Sequence, residues 1–136
     1  MPKLYSLLYV EDDPGSQKVM RGLIEILDFP VHLTIFEDSV NFLQGVKSVS
    51  PVPDLFLLDI HISPKNGFEM LQVLRADESF ANKIIVAVTA SVMNEEVKKL
   101  KDAGFDGVLA KPLKFRDFPN LIKRILAGEH LWTVIR

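Results

Sequence analysis

Apolar and polar residues come in blocks along this chain, and the blocks alternate between two periods. Leu7–Val10, Leu55–Leu58, Ile84–Val88 and Gly107–Ala110 are short, nearly continuous apolar runs, the pattern of strands buried on both faces. Val31–Phe36 reads as a further strand. Between these runs the apolar residues recur at helical spacing: Val19, Met20, Leu23, Ile24 and Leu27, then Val40, Phe42, Leu43 and Val46, then Phe68, Met70, Leu71 and Leu74. The last such stripe is Phe118, Leu121, Ile122, Ile125 and Leu126, on a helix expected from about Phe115 to Ala127. Punctuation agrees. Asp13 can cap a first helix with Pro14 at its first position, Asp38 can cap a second, and Ser50-Pro51-Val52-Pro53 breaks the chain before the third strand. Asn94 is expected to cap a fourth helix, with Glu95 and Glu96 at its start and lysines gathered before Gly104, as the helix dipole favours. Alternating strand–helix units with short connections imply an α/β fold, a parallel sheet covered by helices on both faces.

The strands end in chemistry. The first runs into Glu11-Asp12-Asp13, the third into Asp59, the fourth into Thr89 and the fifth into Lys111. In an open parallel sheet these carboxyl ends share one edge, where ligands bind. Asp59 follows a wholly apolar run, and a carboxylate there can act as a nucleophile toward phosphorus. Glu11 and Asp12 offer hard oxygens to Mg²⁺, while Thr89 and Lys111 can meet phosphoryl oxygens as hydroxyl donor and ammonium. Each residue also has a plainer reading. The acids can cap and charge-complement the first helix, as Asp13 is expected to do. Thr89 alone is a β-former near a strand end, and Lys111 before Pro112 a turn lysine.

Taken together, Val10-Glu11-Asp12-Asp13-Pro14, Leu58-Asp59, Val88-Thr89-Ala90 and Lys111-Pro112, with Gly67 at the start of the third helix, resemble the receiver domain of two-component response regulators. The resemblance covers nearly the whole chain. It implies a flavodoxin-like doubly wound (βα)5 sandwich with strand order 2-1-3-4-5 and its switch point between the first and third strands. It also implies Asp59 as phosphoacceptor, Thr89 and Lys111 as its assistants, and Mg²⁺ held by Glu11, Asp12, Asp59 and the backbone carbonyl of His61. The phosphodonor would be a histidine kinase or a histidine phosphotransfer protein, and the output a changed partner-binding face rather than enzymatic turnover.

Some positions depart from the family's habit. Val108 stands where an aromatic is usual, three residues before Lys111, and Ser63 replaces a common proline, with Pro64 one place later. His61 and Ser91, each two residues beyond a site residue, occupy positions that in the family influence how water reaches the acyl phosphate. Residues 1–127 are expected to form the receiver domain and 128–136 a short apolar tail. Leu131, Trp132, Val134 and Ile135 should fold back on the domain, with a homodimer contact as the alternative.

Composition narrows the field. A net charge of -2 and a pI near 5.9 give no global basic field for nucleic acid. The absence of cysteine excludes disulfides and thiolate chemistry. No apolar stretch approaches a membrane span, and the default location is the cytoplasm. The chain is expected to be a stand-alone receiver; a piece of a longer protein is the alternative. A haloacid-dehalogenase-type phosphatase would usually carry a second Asp where His61 stands, and a receiver-like module that signals without phosphorylation is the remaining reading.

Overall fold

The computed structural model describes residues 3–132, and strand and helix alternate throughout them. The strands are β1 (Tyr5–Val10), β2 (Val31–Phe36), β3 (Leu55–Asp59), β4 (Ile84–Thr89) and β5 (Gly107–Ala110). The helices are α1 (Pro14–Glu25), α2 (Phe42–Lys47), α3 (Gly67–Arg75), α4 (Asn94–Ala103) and α5 (Phe118–Leu126). Every strand pairing is parallel and the order is β2-β1-β3-β4-β5, the doubly wound arrangement expected from the resemblance.

Strand alternation divides the core into two layers. Leu8, Val10, Phe56, Leu58, Ile85 and Ala87 face α2, α3 and α4, where they meet Phe42, Met70, Leu71 and Leu100. Leu7, Tyr9, Leu55, Leu57, Val86 and Val88 face α1 and α5, where they meet Met20, Leu23, Phe118 and Ile122. Because both faces are covered, the strands needed no polar alternate positions, and β3 is buried at every residue.

Helix starts hold the differences from expectation. Asp13 caps α1 as foreseen, accepting the Ser16 N–H at 2.8 Å. Asp38 does not start α2: its carboxylate accepts the Val40 N–H at 2.9 Å in a local turn, and Asn41 sits at φ 49, outside the helical region. Val40, placed by spacing on the buried stripe, is 58% exposed. Asn94 is the first residue of α4 rather than its cap, which is Met93. The last helix starts at Phe118 instead of near Phe115, because Pro119 lacks an N–H and fits only the first turn. At α3, Asn66 and Glu69 form a reciprocal capping box.

At the amino-terminal ends of the strands, Arg75 ties the end of α3 to the loops before β4 and β5. Its guanidinium donates to the carbonyls of Ala81, Lys83 and Gly104 and to Asp106 Oδ2, all at 2.9 Å. Asp106 Oδ2 also accepts the Ile85 N–H. After α5, Gly128 turns the chain at φ 99 and the tail comes back to β5. Leu131 and Trp132 pack on the two core layers; Val134 and Ile135 lie outside the described residues.

Candidate functional site

Sheet register builds the site. Val10 pairs with Leu58, so the next residues, Glu11 and Asp59, emerge side by side where the strand order reverses. Asp59 pairs with Val88, which sets Thr89 one step further along, and Thr89 pairs with Ala110, which sets Lys111 one step beyond that. Residues scattered over more than half the chain thus line one edge.

Lys111 is the bridge. Its ammonium lies 2.9 Å from Asp59 Oδ2 and also pairs with Glu11 Oε1. The other Asp59 oxygen accepts the His61 N–H at 3.0 Å. Glu11 is fully buried, with the Tyr9 hydroxyl donating to Oε1 at 2.9 Å and the Asp13 N–H to Oε2 at 3.1 Å. Asp12 is exposed, yet Glu11, Asp12 and Asp59 each place a carboxylate oxygen within 4.8 Å of the others. Thr89 is buried and its Oγ1 accepts the Ser91 N–H at 3.2 Å, which leaves the hydroxyl proton as a donor. The His61 side chain is exposed; its backbone is what touches the site.

Burial and charge push the two neighbouring acids apart. Burial drives the Glu11 carboxyl up, and the Lys111 ammonium only partly opposes it. Asp59 feels burial too, but Lys111 and the His61 N–H outweigh it and hold this carboxyl below the usual carboxylate range. Burial alone would lower Lys111, whereas its two carboxylate partners raise it and keep it charged. Tyr9 is raised far above an ordinary phenol, first by burial and then by the Glu11 charge, and so remains a hydrogen-bond donor. The result is an ionised Asp59 beside a fixed cation. Such a carboxylate can attack an electrophile or bind a metal, and the three-carboxylate cluster suits a hard, oxygen-seeking cation.

The sequence reading missed two supports, Tyr9 and Gln17, and gave Gly67 no steric role. Tyr9 passed as one more residue of an apolar run, although Tyr9 and Glu11, two apart on a strand, share a side. Gln17 is buried under the site, with Nε2 donating to the Glu11 carbonyl at 2.6 Å. Gly67 admits α3 against the end of β3: a Cβ there would lie 2.8 Å from Ile60 Cδ1, 2.9 Å from Ile60 Cα and 3.0 Å from the Asp59 carbonyl oxygen.

Carboxylates and an ammonium gathered at the switch point of a five-stranded doubly wound parallel sheet stand where open α/β sheets bind their ligands. The chain belongs to the response regulator receiver domain family, whose model matches residues 7–123. Among individual proteins it is similar to the polar-differentiation response regulator DivK of Brucella anthropi, 27% identical over 130 residues, which are 93% of this chain and 98% of DivK. It is also 32% identical over 123 residues to the probable C4-dicarboxylate response regulator DctR of Priestia megaterium. That alignment takes in 90% of this chain, which spans about half of DctR (52%).

Solved structures agree on the fold. The receiver domain of the sensor histidine kinase PA1611 from Pseudomonas aeruginosa PAO1, with a magnesium ion coordinated in its active site cleft, superposes with a TM-score of 0.77 at 23% identity, over 92% of this chain and 99% of that one. The chemotaxis response regulator CheY4 of Vibrio cholerae gives 0.76 at 18% identity, over 90% of this chain and 99% of its own. Among the described residues no helix is long and apolar enough to cross a membrane.

Proposed function

We propose that Asp59 accepts a phosphoryl group from a phosphohistidine on a histidine kinase or histidine phosphotransfer protein, and that the modified protein is read by a downstream protein partner. One observation carries this reading: Asp59 is 5% exposed yet held ionised, with Lys111 at 2.9 Å and further carboxylates within 4.8 Å. A carboxylate oxygen forms the new O–P bond as the P–N bond breaks and the imidazole nitrogen keeps the electron pair. Lys111 leaves its carboxylate partner to neutralise a phosphoryl oxygen, and Thr89 donates its hydroxyl proton to another. Glu11 with its Tyr9 and Gln17 supports fixes the floor of the site.

The donor set fits Mg²⁺, with Asp12, Asp59, Glu11 and the His61 backbone carbonyl as its holders. When bound, Mg²⁺ supplies charge neutralisation for the incoming phosphoryl group. The magnesium in the structurally similar PA1611 receiver supports that choice. The protein then acts as a phosphoacceptor in the cytoplasm and not as a turnover enzyme.

Intact-mass spectrometry with Mg²⁺ and acetyl phosphate tests this. One added phosphoryl group, absent from Asp59→Asn and from an EDTA sample, is the expected result. An unmodified wild-type mass, with beryllofluoride also failing to bind, would sink the reading.

A further inference from the structure

β5 ends the sheet, and an edge strand carries unpaired backbone groups that proteins cover or blunt. Here the cover is the segment Gly128–Trp132. The outward Val108 N–H donates to the Leu131 carbonyl at 2.8 Å. Gly107 makes this approach possible: the three nearest atoms an added Cβ would meet are all Leu131 backbone, the first at 3.0 Å. Leu131 then packs with the layer of Leu109 and Phe118, and Trp132 with the layer of Leu100, Phe105 and Val108. Consecutive residues on opposite sides are the habit of a strand.

The anchors are light. Glu129 pairs with Arg124 at 3.1 Å between half-exposed side chains, and His130 lies 3.8 Å from Asp106. Lys101 stands over the indole of Trp132 at 5.4 Å. Solvent screens exposed pairs of this kind, and the firmest of them is Arg124, whose guanidinium meets both Glu129 oxygens. Beneath Leu131 is a cavity of about 150 Å³ whose wall runs from Val108 through Lys111 to Lys114. One short strand therefore carries the cation of the site at one end and the seat of this segment three residues earlier, with space between them for the loop after β5 to shift.

We propose that Gly128–Trp132 is a releasable strap on the β5 edge, seated while Asp59 is unmodified and loosened when a phosphoryl group draws Lys111 toward it. The coupling rests on the phosphoacceptor reading above. Release bares the Val108 N–H and the apolar flanks of α4 and α5, so the strap and a partner compete for one surface.

Trp132 is the single tryptophan of the chain, which makes the strap its own reporter. The experiment records tryptophan emission and Val108 amide exchange by NMR, with and without Mg²⁺ and acetyl phosphate, and intact mass on the same samples. Phosphorylation should shift the emission to the red and speed Val108 exchange by about tenfold or more. Gly107→Ala, with Leu131→Ser as a second strap variant, should show the shifted emission from the start and still take the phosphoryl group. Unchanged emission and exchange in samples that carry the group would overturn the coupling while leaving the phosphoacceptor reading intact. Wild-type emission from both variants would overturn the strap itself. A sample that takes no phosphoryl group overturns the function reading and the coupling with it, and the variants still decide whether the strap is seated.

Discussion

Asp12→Asn should make this protein more stable without divalent cations and less responsive to them. The side chain is exposed, yet its carboxylate shares a 4.8 Å neighbourhood with Glu11 and Asp59. At that separation each like-charge pair costs about 1 kcal/mol in a water-like dielectric and about 3 kcal/mol at an effective dielectric near 20. Lys111 is committed to Glu11 and Asp59 and offsets roughly one of the two repulsions Asp12 feels. Neutralising Asp12 should therefore raise the unfolding free energy in EDTA by about 1 kcal/mol, with the lower Coulomb figure appropriate to an exposed group. Mg²⁺ at tenfold its Kd should stabilise the wild type by about 1.4 kcal/mol, and the variant, with a ligand lost, by much less. Urea unfolding followed by circular dichroism, in EDTA and in Mg²⁺, measures both. A variant no more stable than wild type in EDTA, or one that gains as much from Mg²⁺, would refute the electrostatic account.

Lys111→Met should reverse the shift on Asp59. In the wild type the Asp59 carboxyl is held low, so its contribution to stability is present above the ordinary Asp value and fades as pH falls through the folded value. Without the ammonium, burial prevails and the carboxyl should titrate above the ordinary value; carbon-13 NMR of the Asp59 carboxyl reads this directly, and an unmoved titration would count against Lys111 as the cause. Gly67→Ala should cost about 1–3 kcal/mol by overpacking, since the new methyl meets backbone atoms of Ile60 and Asp59 within 3.0 Å. It should also slow phosphorylation, because the displaced backbone leads to His61; wild-type thermal stability would show that α3 yields more easily than the geometry implies.

Sequence patterns carry what is local or repeated, and the strands and their polar endings are both. Asp59, Thr89 and Lys111 were legible because each interrupts an apolar run at its end. Two helix starts were not, for local reasons: before α2 Asp38 spends its carboxylate on Val40 and Asn41 takes a left-handed turn, and Pro119 sets the start of α5. Tyr9, Gln17 and Arg75 escaped for another reason. Each is an ordinary member of its own element: Tyr9 and Gln17 gain a role only because nearby Glu11 is buried at the strand end, and Arg75 only once the loops before β4 and β5 are brought to it.

The Arg75 tie makes the sheet mechanically asymmetric. β4 and β5 are clamped at their amino-terminal ends, where one guanidinium holds the approaches to both, whereas at the carboxyl-terminal end the tie is the Lys111 ammonium on the carboxylates of Asp59 and Glu11. The two ties differ in kind: Arg75 holds three backbone carbonyls and one carboxylate, while Lys111 holds side-chain carboxylates alone, contacts that another anion can compete for. The domain thus keeps its fixed acceptors at one end of the sheet and its exchangeable ones at the other.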